Sequence, residues 1–157
     1  MKKNNLWIAL LALGSMLSAC GEQKSTKEKT SNEGISELII SLEKQALAAT
    51  DGMAFVELSD TDVVYFDPSL EKKIEGLDKL RTHYKSMSNT APADSFNMIR
   101  PVVQVTQDIA VLTFNLDSYE AGNVMKWNCT EVYRRNSDNQ WKIIQTHWSL
   151  VKPLNID

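Results

Sequence analysis

The sequence predicts an α+β domain in which N-terminal helices cover one face of a curved antiparallel sheet. Three observations lead there. Residues 35–50 and 76–87 carry apolar side chains at helical spacing. Residues 95–151 fall into four runs rich in β-branched and aromatic side chains: FNMIRPVVQVTQ, IAVLTFNLDSY, VMKWNCTEVYRR and QWKIIQTHWSLV. The joints between those runs, DI, EAGN and NSDN, are short enough to be hairpin connections.

Ahead of the domain, MKKNNLWIALLALGSMLSAC has two lysines, an apolar run and then small residues, the layout of a secretory signal peptide. The apolar run is well short of the roughly 20 residues that span a bilayer. Leu17-Ser18-Ala19-Cys20 resembles the lipobox of bacterial lipoproteins, which implies cleavage after residue 19 and lipidation of Cys20. The expected organisation is a signal peptide over 1–19, lipidated Cys20 with a disordered tether over 20–33, and one domain over 34–154. Residues 21–33 are polar and lack an apolar period, which is the reason for reading them as a tether. The expected location is the bacterial cell envelope, at the outer membrane where the host has one and otherwise at the outer face of the plasma membrane. With 17 basic against 20 acidic side chains and no basic run, nucleic acid is not an expected partner. With Cys20 lipidated, Cys129 has no disulfide partner and reads as a small buried apolar residue.

Within the domain, Ile35, Leu38, Ile39, Leu42, Ala46 and Ala49 form the stripe of a first helix that Thr50-Asp51-Gly52 ends. MAFVELS reads as a short second helix with Asp51 as its N-cap. TDVVYFDP is a strand with Val63, Tyr65 and Asp67 on one face, stopped by Pro68, which cannot donate a ladder hydrogen bond. A third helix follows, with Leu77, Leu80, Tyr84 and Met87 aligned, and then the four-strand meander. In its last strand, strict alternation puts His147 with Trp141, Ile143, Gln145, Ser149 and Val151, and puts Ile144, Thr146, Trp148 and Leu150 opposite. Such a strand is apolar on both faces and is expected to be covered on both, the helices being one cover.

Two stretches, VVYFDPSLEKKIEGLDKLRTHY and TEVYRR followed by QWKIIQTHWS, resemble the nuclear transport factor 2-like (cystatin-like) superfamily, and within it the SnoaL-like branch and the association domain of calcium/calmodulin-dependent protein kinase II. The resemblance covers roughly residues 35–153. It implies a cone: a bent sheet wrapped around helices with a pocket inside. Because this fold commonly dimerises through its outer sheet surface, the resemblance also implies a second subunit as the other cover of the last strand, so a homodimer is expected. The superfamily includes isomerases, dehydratases, cyclases, binding domains and oligomerisation hubs, so the fold leaves the activity open. Where the kinase domain has pocket arginines, Glu131 and Asn115 stand here, which argues against an anionic ligand.

No metal site or cofactor is expected. His83 and His147 are the only histidines, no ligand spacing is backed by a third member, and neither a glycine-rich phosphate loop nor a Gly-x-Ser-x-Gly elbow occurs. Chemistry would have to be acid–base work in an apolar cavity, with Asp67 or His147 as the general base. The expected pocket residues are Tyr65, Asp67, Tyr84, Trp127 and His147. For Asp67 the competing role is a strand-ending turn in which the carboxylate binds backbone amides. For His147 it is packing, and His83 reads as exposed. The expected function is capture of a small, largely apolar ligand without catalysis; the alternatives are an isomerase, dehydratase or cyclase, and an assembly hub.

Overall fold

The computed structural model describes residues 20–49, 52–87 and 93–151, with side chains from residue 31 onward. Three helices, α1 (Cys20–Ala48), α2 (Met53–Leu58) and α3 (Leu77–Ser86), accompany six strands. The strands are β1 (Ser59–Phe66), β2 (Ile74–Glu75), β3 (Ser95–Thr106), β4 (Ile109–Glu120), β5 (Asn123–Arg135) and β6 (Trp141–Leu150). They form one sheet in the order β2-β1-β6-β5-β4-β3. The meander β3 to β6 is antiparallel, as expected, but β1 joins β6 in parallel, so the sheet is mixed.

Among the described residues α1 covers Cys20–Ala48, so the backbone of residues 21–33 is helical where a disordered tether is expected. Nothing in that segment stops a helix: it lacks proline, and Lys, Glu and Gln are good helix formers. The stripe also differs from the expected one. Ile39, Glu43 and Ala46 are buried, whereas Leu38 is 46% exposed. At α2 the N-cap position is Gly52, with φ 64°, and the expected cap Asp51 lies outside the described residues. Gly52 is needed for space as well as for its dihedral. A Cβ there would sit 2.7 Å from the ring of Tyr84.

The core lies between the helices and the concave face of the sheet. Ala110, Leu112, Phe114 and Leu116 of β4 meet Cys129 and Tyr133 of β5, with Ile39, Val56, Val63, Leu80 and Ile143 closing over them. Each fully buried aliphatic side chain contributes about 1.5–3 kcal/mol. Cys129 is a free, buried thiol, as expected, and burial raises its pKa.

Two irregularities bend the sheet. In the edge strand β3 the register shifts between Ile99 and Val102, around Arg100 (φ 47°) and Pro101. In β6, Tyr133 faces Ile143 but Val132 faces Gln145, so Ile144 is an extra residue. Before this bulge Trp141 and Ile143 point inward; after it Thr146, Trp148 and Leu150 do. The two-faced apolar pattern is therefore the signature of a phase change, and β6 needs no second cover to explain it.

Tight turns close the hairpins. Ala121 and Gly122 both have positive φ, 48° and 79°, as a type I′ turn requires. Asn136 Oδ1 accepts the backbone N–H groups of Asp138 and Gln140 in the β5–β6 turn. Among the described residues, no helix is long and apolar enough to cross a membrane.

Candidate functional site

A cavity of about 640 Å³ lies between α2, α3 and the sheet, within the range of small-molecule pockets. Its walls come from α2 (Phe55), β1 (Tyr65), α3 (Tyr84), β4 (Leu116, Ser118), β5 (Trp127) and β6 (Trp148, Leu150). The aromatic rings are in mutual contact. Tyr84 stacks between Phe55 and Tyr65, with centroids 6.2 Å away on each side, and Trp148 meets Phe55, Phe114 and Trp127 edge-on. Two indole N–H groups are satisfied within the wall: Trp127 donates to Ser118 Oγ at 2.9 Å, and Trp148 to Thr146 Oγ1 at 3.0 Å.

At one side of the cavity sits Asp67, just past the end of β1, with its side chain 8% exposed. Oδ1 accepts the Ser69 backbone N–H at 2.7 Å and also the Ser69 hydroxyl. Oδ2 accepts the Tyr65 hydroxyl at 2.8 Å and faces His83 Nε2 at 3.3 Å. Burial pushes the carboxyl pKa up, but the hydrogen bonds from Ser69, Tyr65 and His83 outweigh it and hold the group below the usual carboxylate value. Asp67 thus performs the turn role and faces the pocket at once. The Tyr65 hydroxyl is raised by burial, then by Tyr84 and Asp67, and stays a donor.

Behind the pocket wall lies a second polar group. Glu43 of α1 and Glu131 and Tyr133 of β5 are fully buried. The single phenolic oxygen of Tyr133 is 2.7 Å from Glu43 Oε2 and 2.9 Å from Glu131 Oε2. One hydroxyl proton cannot serve two carboxylates, so one carboxyl must bring its own. Burial, reinforced by the neighbouring Glu131, raises Glu43 well above its ordinary value. Protonated Glu43 then donates to Tyr133, Tyr133 donates to Glu131, and Thr146 donates to the other Glu131 oxygen at 2.9 Å. Since Trp148 donates to Thr146, this chain ends in the pocket wall. Glu43 Oε1 has no partner.

Of the five expected pocket residues, Tyr65, Asp67, Tyr84 and Trp127 line the cavity together. His147 does not: it lies past the bulge, exposed on the convex face, in a tilted contact with Phe66 at 5.5 Å. The expectation that His83 is exposed also fails, because its side chain is 14% exposed and packs edge-on against Tyr65 and Tyr84. The Trp148 wall and the Glu43–Tyr133–Glu131 chain were not anticipated. Among the described residues, no group of three His, Cys, Asp or Glu side chains is arranged to hold a metal ion.

A bent sheet closed over three helices around an aromatic cavity defines a nuclear transport factor 2-like domain. The chain belongs to the SnoaL-like domain family, whose profile matches residues 43–153. It is similar to a solved protein of Parabacteroides distasonis, provisionally named a ketosteroid isomerase. The identity is 78% over 77% of this chain and 91% of that chain, with a TM-score of 0.74. A nuclear transport factor 2-like protein of unknown function from Pseudomonas putida shares the fold at 19% identity, covering 78% of this chain and 91% of the other, TM-score 0.68. The calcium/calmodulin-dependent protein kinase II hub of S. rosetta shares it at 19% identity, covering 74% and 96%, TM-score 0.59. No curated protein matches the chain.

Proposed function

We propose that this domain binds one small, largely apolar ligand inside the cone and does not transform it. The observation that carries the reading is the state of Asp67. It is the carboxylate buried in the cavity wall, yet four donor contacts occupy its oxygens and its pKa is lowered. A general base working near neutral pH needs a raised pKa and a free lone pair. Asp67 has neither and is suited to holding the polar end of a ligand in place. The surrounding aromatic wall supplies the apolar contact.

Calorimetric titration with a panel of small apolar molecules tests this. Saturable 1:1 binding that is lost in Leu116→Phe, which fills the cavity, is the expected result. Absence of binding across the panel, or turnover of a bound compound, counts against it.

A second reading, an isomerase, dehydratase or cyclase with Asp67 as base, is favoured by the name of the 78% identical relative. His147 has no part in it, lying outside the cavity. Isomerisation of a ketosteroid by the purified domain, abolished by Asp67→Asn, would establish this reading. We further propose a lipid anchor on Cys20 at the cell envelope, supported by the leader pattern, and a homodimer formed through the convex face. That face carries half-buried Val111, Val132 and Ile144 together with Val102, which is 54% exposed.

A further inference from the structure

We infer that the polar end of the cone takes an alkylated ammonium group, so that the ligand is an apolar molecule carrying a tertiary or quaternary amine. This rests on the reading of the cavity as a ligand site and names the ligand's chemistry.

Charge is the first argument. The charged residues that line the cavity are Asp67 and Glu120, both acidic; no lysine, arginine or histidine lines it among the described residues. The Asp67 side chain is 8% exposed and its pKa is lowered, so it meets the cavity as a carboxylate. His83 Nε2, 3.3 Å from Asp67 Oδ2, is not among the groups that line the cavity. A carboxylate, sulfate or phosphate ligand would meet repulsion.

The walls are the second argument. Phe55, Tyr65, Tyr84, Trp127 and Trp148 present ring faces and edges to one space, with neighbouring centroids about 6 Å apart. An aromatic enclosure beside a carboxylate is the arrangement that attracts a desolvated organic cation through ring quadrupoles.

Hydrogen-bond capacity is the third and selects among cations. The oxygens of Asp67 are already met by Tyr65, His83 and two groups of Ser69. A primary ammonium brings three N–H donors that would have to displace these partners or stay unsatisfied. A fully alkylated nitrogen brings none. It needs charge and apolar contact, which is what this end of the cavity offers.

The test is calorimetric titration of the purified full domain with three near-isosteric probes: benzyltrimethylammonium, the neutral neopentylbenzene and the anionic 4-tert-butylbenzoate. Binding of the ammonium at least about tenfold tighter than the neutral probe, with no binding of the anion, is expected. Asp67→Asn should remove that preference, bringing the cation's affinity down to that of the neutral probe, and Trp148→Leu should weaken the cation more than the neutral compound. Equal or tighter binding of the neutral or anionic probe to the unaltered protein overturns the inference and leaves the apolar-ligand reading standing. Failure of all three probes to bind overturns both. Because the selectivity is read on the unaltered chain, a variant that fails to fold does not blunt the test.

Discussion

Replacing Glu43 by glutamine should make the protein more stable at neutral pH, although a fully buried, hydrogen-bonded side chain is being altered. Glu43 has a folded-state pKa raised well above 4.5, the ordinary value that the unfolded chain is taken to have. Above pH 4.5 the unfolded chain releases this proton while the folded protein keeps it, so the folded state binds more protons and stability falls as pH rises. The slope approaches about 1.4 kcal/mol per pH unit until the folded pKa is reached. Asp67 works in the other direction and in another window. Its folded pKa is lowered from 3.8, so its contribution is present above that value and is lost as pH falls below it. Between pH 5 and 7 it is flat. Glutamine can donate to Tyr133 as the protonated acid does and has no proton to lose. Urea denaturation of both proteins at half-unit steps from pH 5 to 7 would show a declining stability for the natural sequence and a shallower line for Glu43→Gln, the slopes differing by at most about 1.4 kcal/mol per pH unit. Parallel lines would refute the reasoning, since Glu43 would then titrate alike in the folded and unfolded chains.

Other perturbations should separate the parts of the account. Tyr133→Phe removes the donor between two buried carboxyls and should destabilise by about 1–3 kcal/mol by chemical denaturation, a loss largely relieved when Glu43→Gln is added. Deleting Ile144 removes the bulge and would turn Thr146, Trp148 and Leu150 to the convex face; the variant should not give a cooperative unfolding transition. Gly52→Ala forces a left-handed residue against the Tyr84 ring and should cost about 1–3 kcal/mol while weakening any cavity ligand. Cys20→Ser protein expressed in a bacterial host should leave the membrane fraction, whereas continued membrane partitioning would refute the lipid anchor.

The class of the fold was readable from periodicity because most of the chain obeys it. Leu80 and Tyr84 at helical spacing and Val63 and Tyr65 at strand spacing all face inward, and Tyr65, Asp67, Tyr84 and Trp127 converge as expected. What escaped has physical causes. The Ile144 bulge adds one residue, and alternation carried through it assigns the wrong face to everything beyond, which is how His147 entered the site and Trp148 was left out of it. The His83–Asp67 contact spans sixteen positions, joining a strand end to a helix across a loop, and no local pattern reports it. Glu43 stands outside the apolar stripe of Ile39, Leu42 and Ala46, and its burial depends on partners supplied by β5, ninety residues later in Tyr133. The helix across residues 21–33 escaped for a different reason: its residue types favour helix, but with no apolar face there was no period to find.

The central claim is that the cone carries a bound apolar molecule rather than a reaction, and native mass spectrometry of the protein purified from its own host tests it most directly. One retained molecule of fixed mass per protomer, recovered chemically unchanged and absent from Leu116→Phe protein, is the predicted result. An empty cavity in both proteins, or a bound compound recovered as a rearranged or dehydrated product, would contradict it.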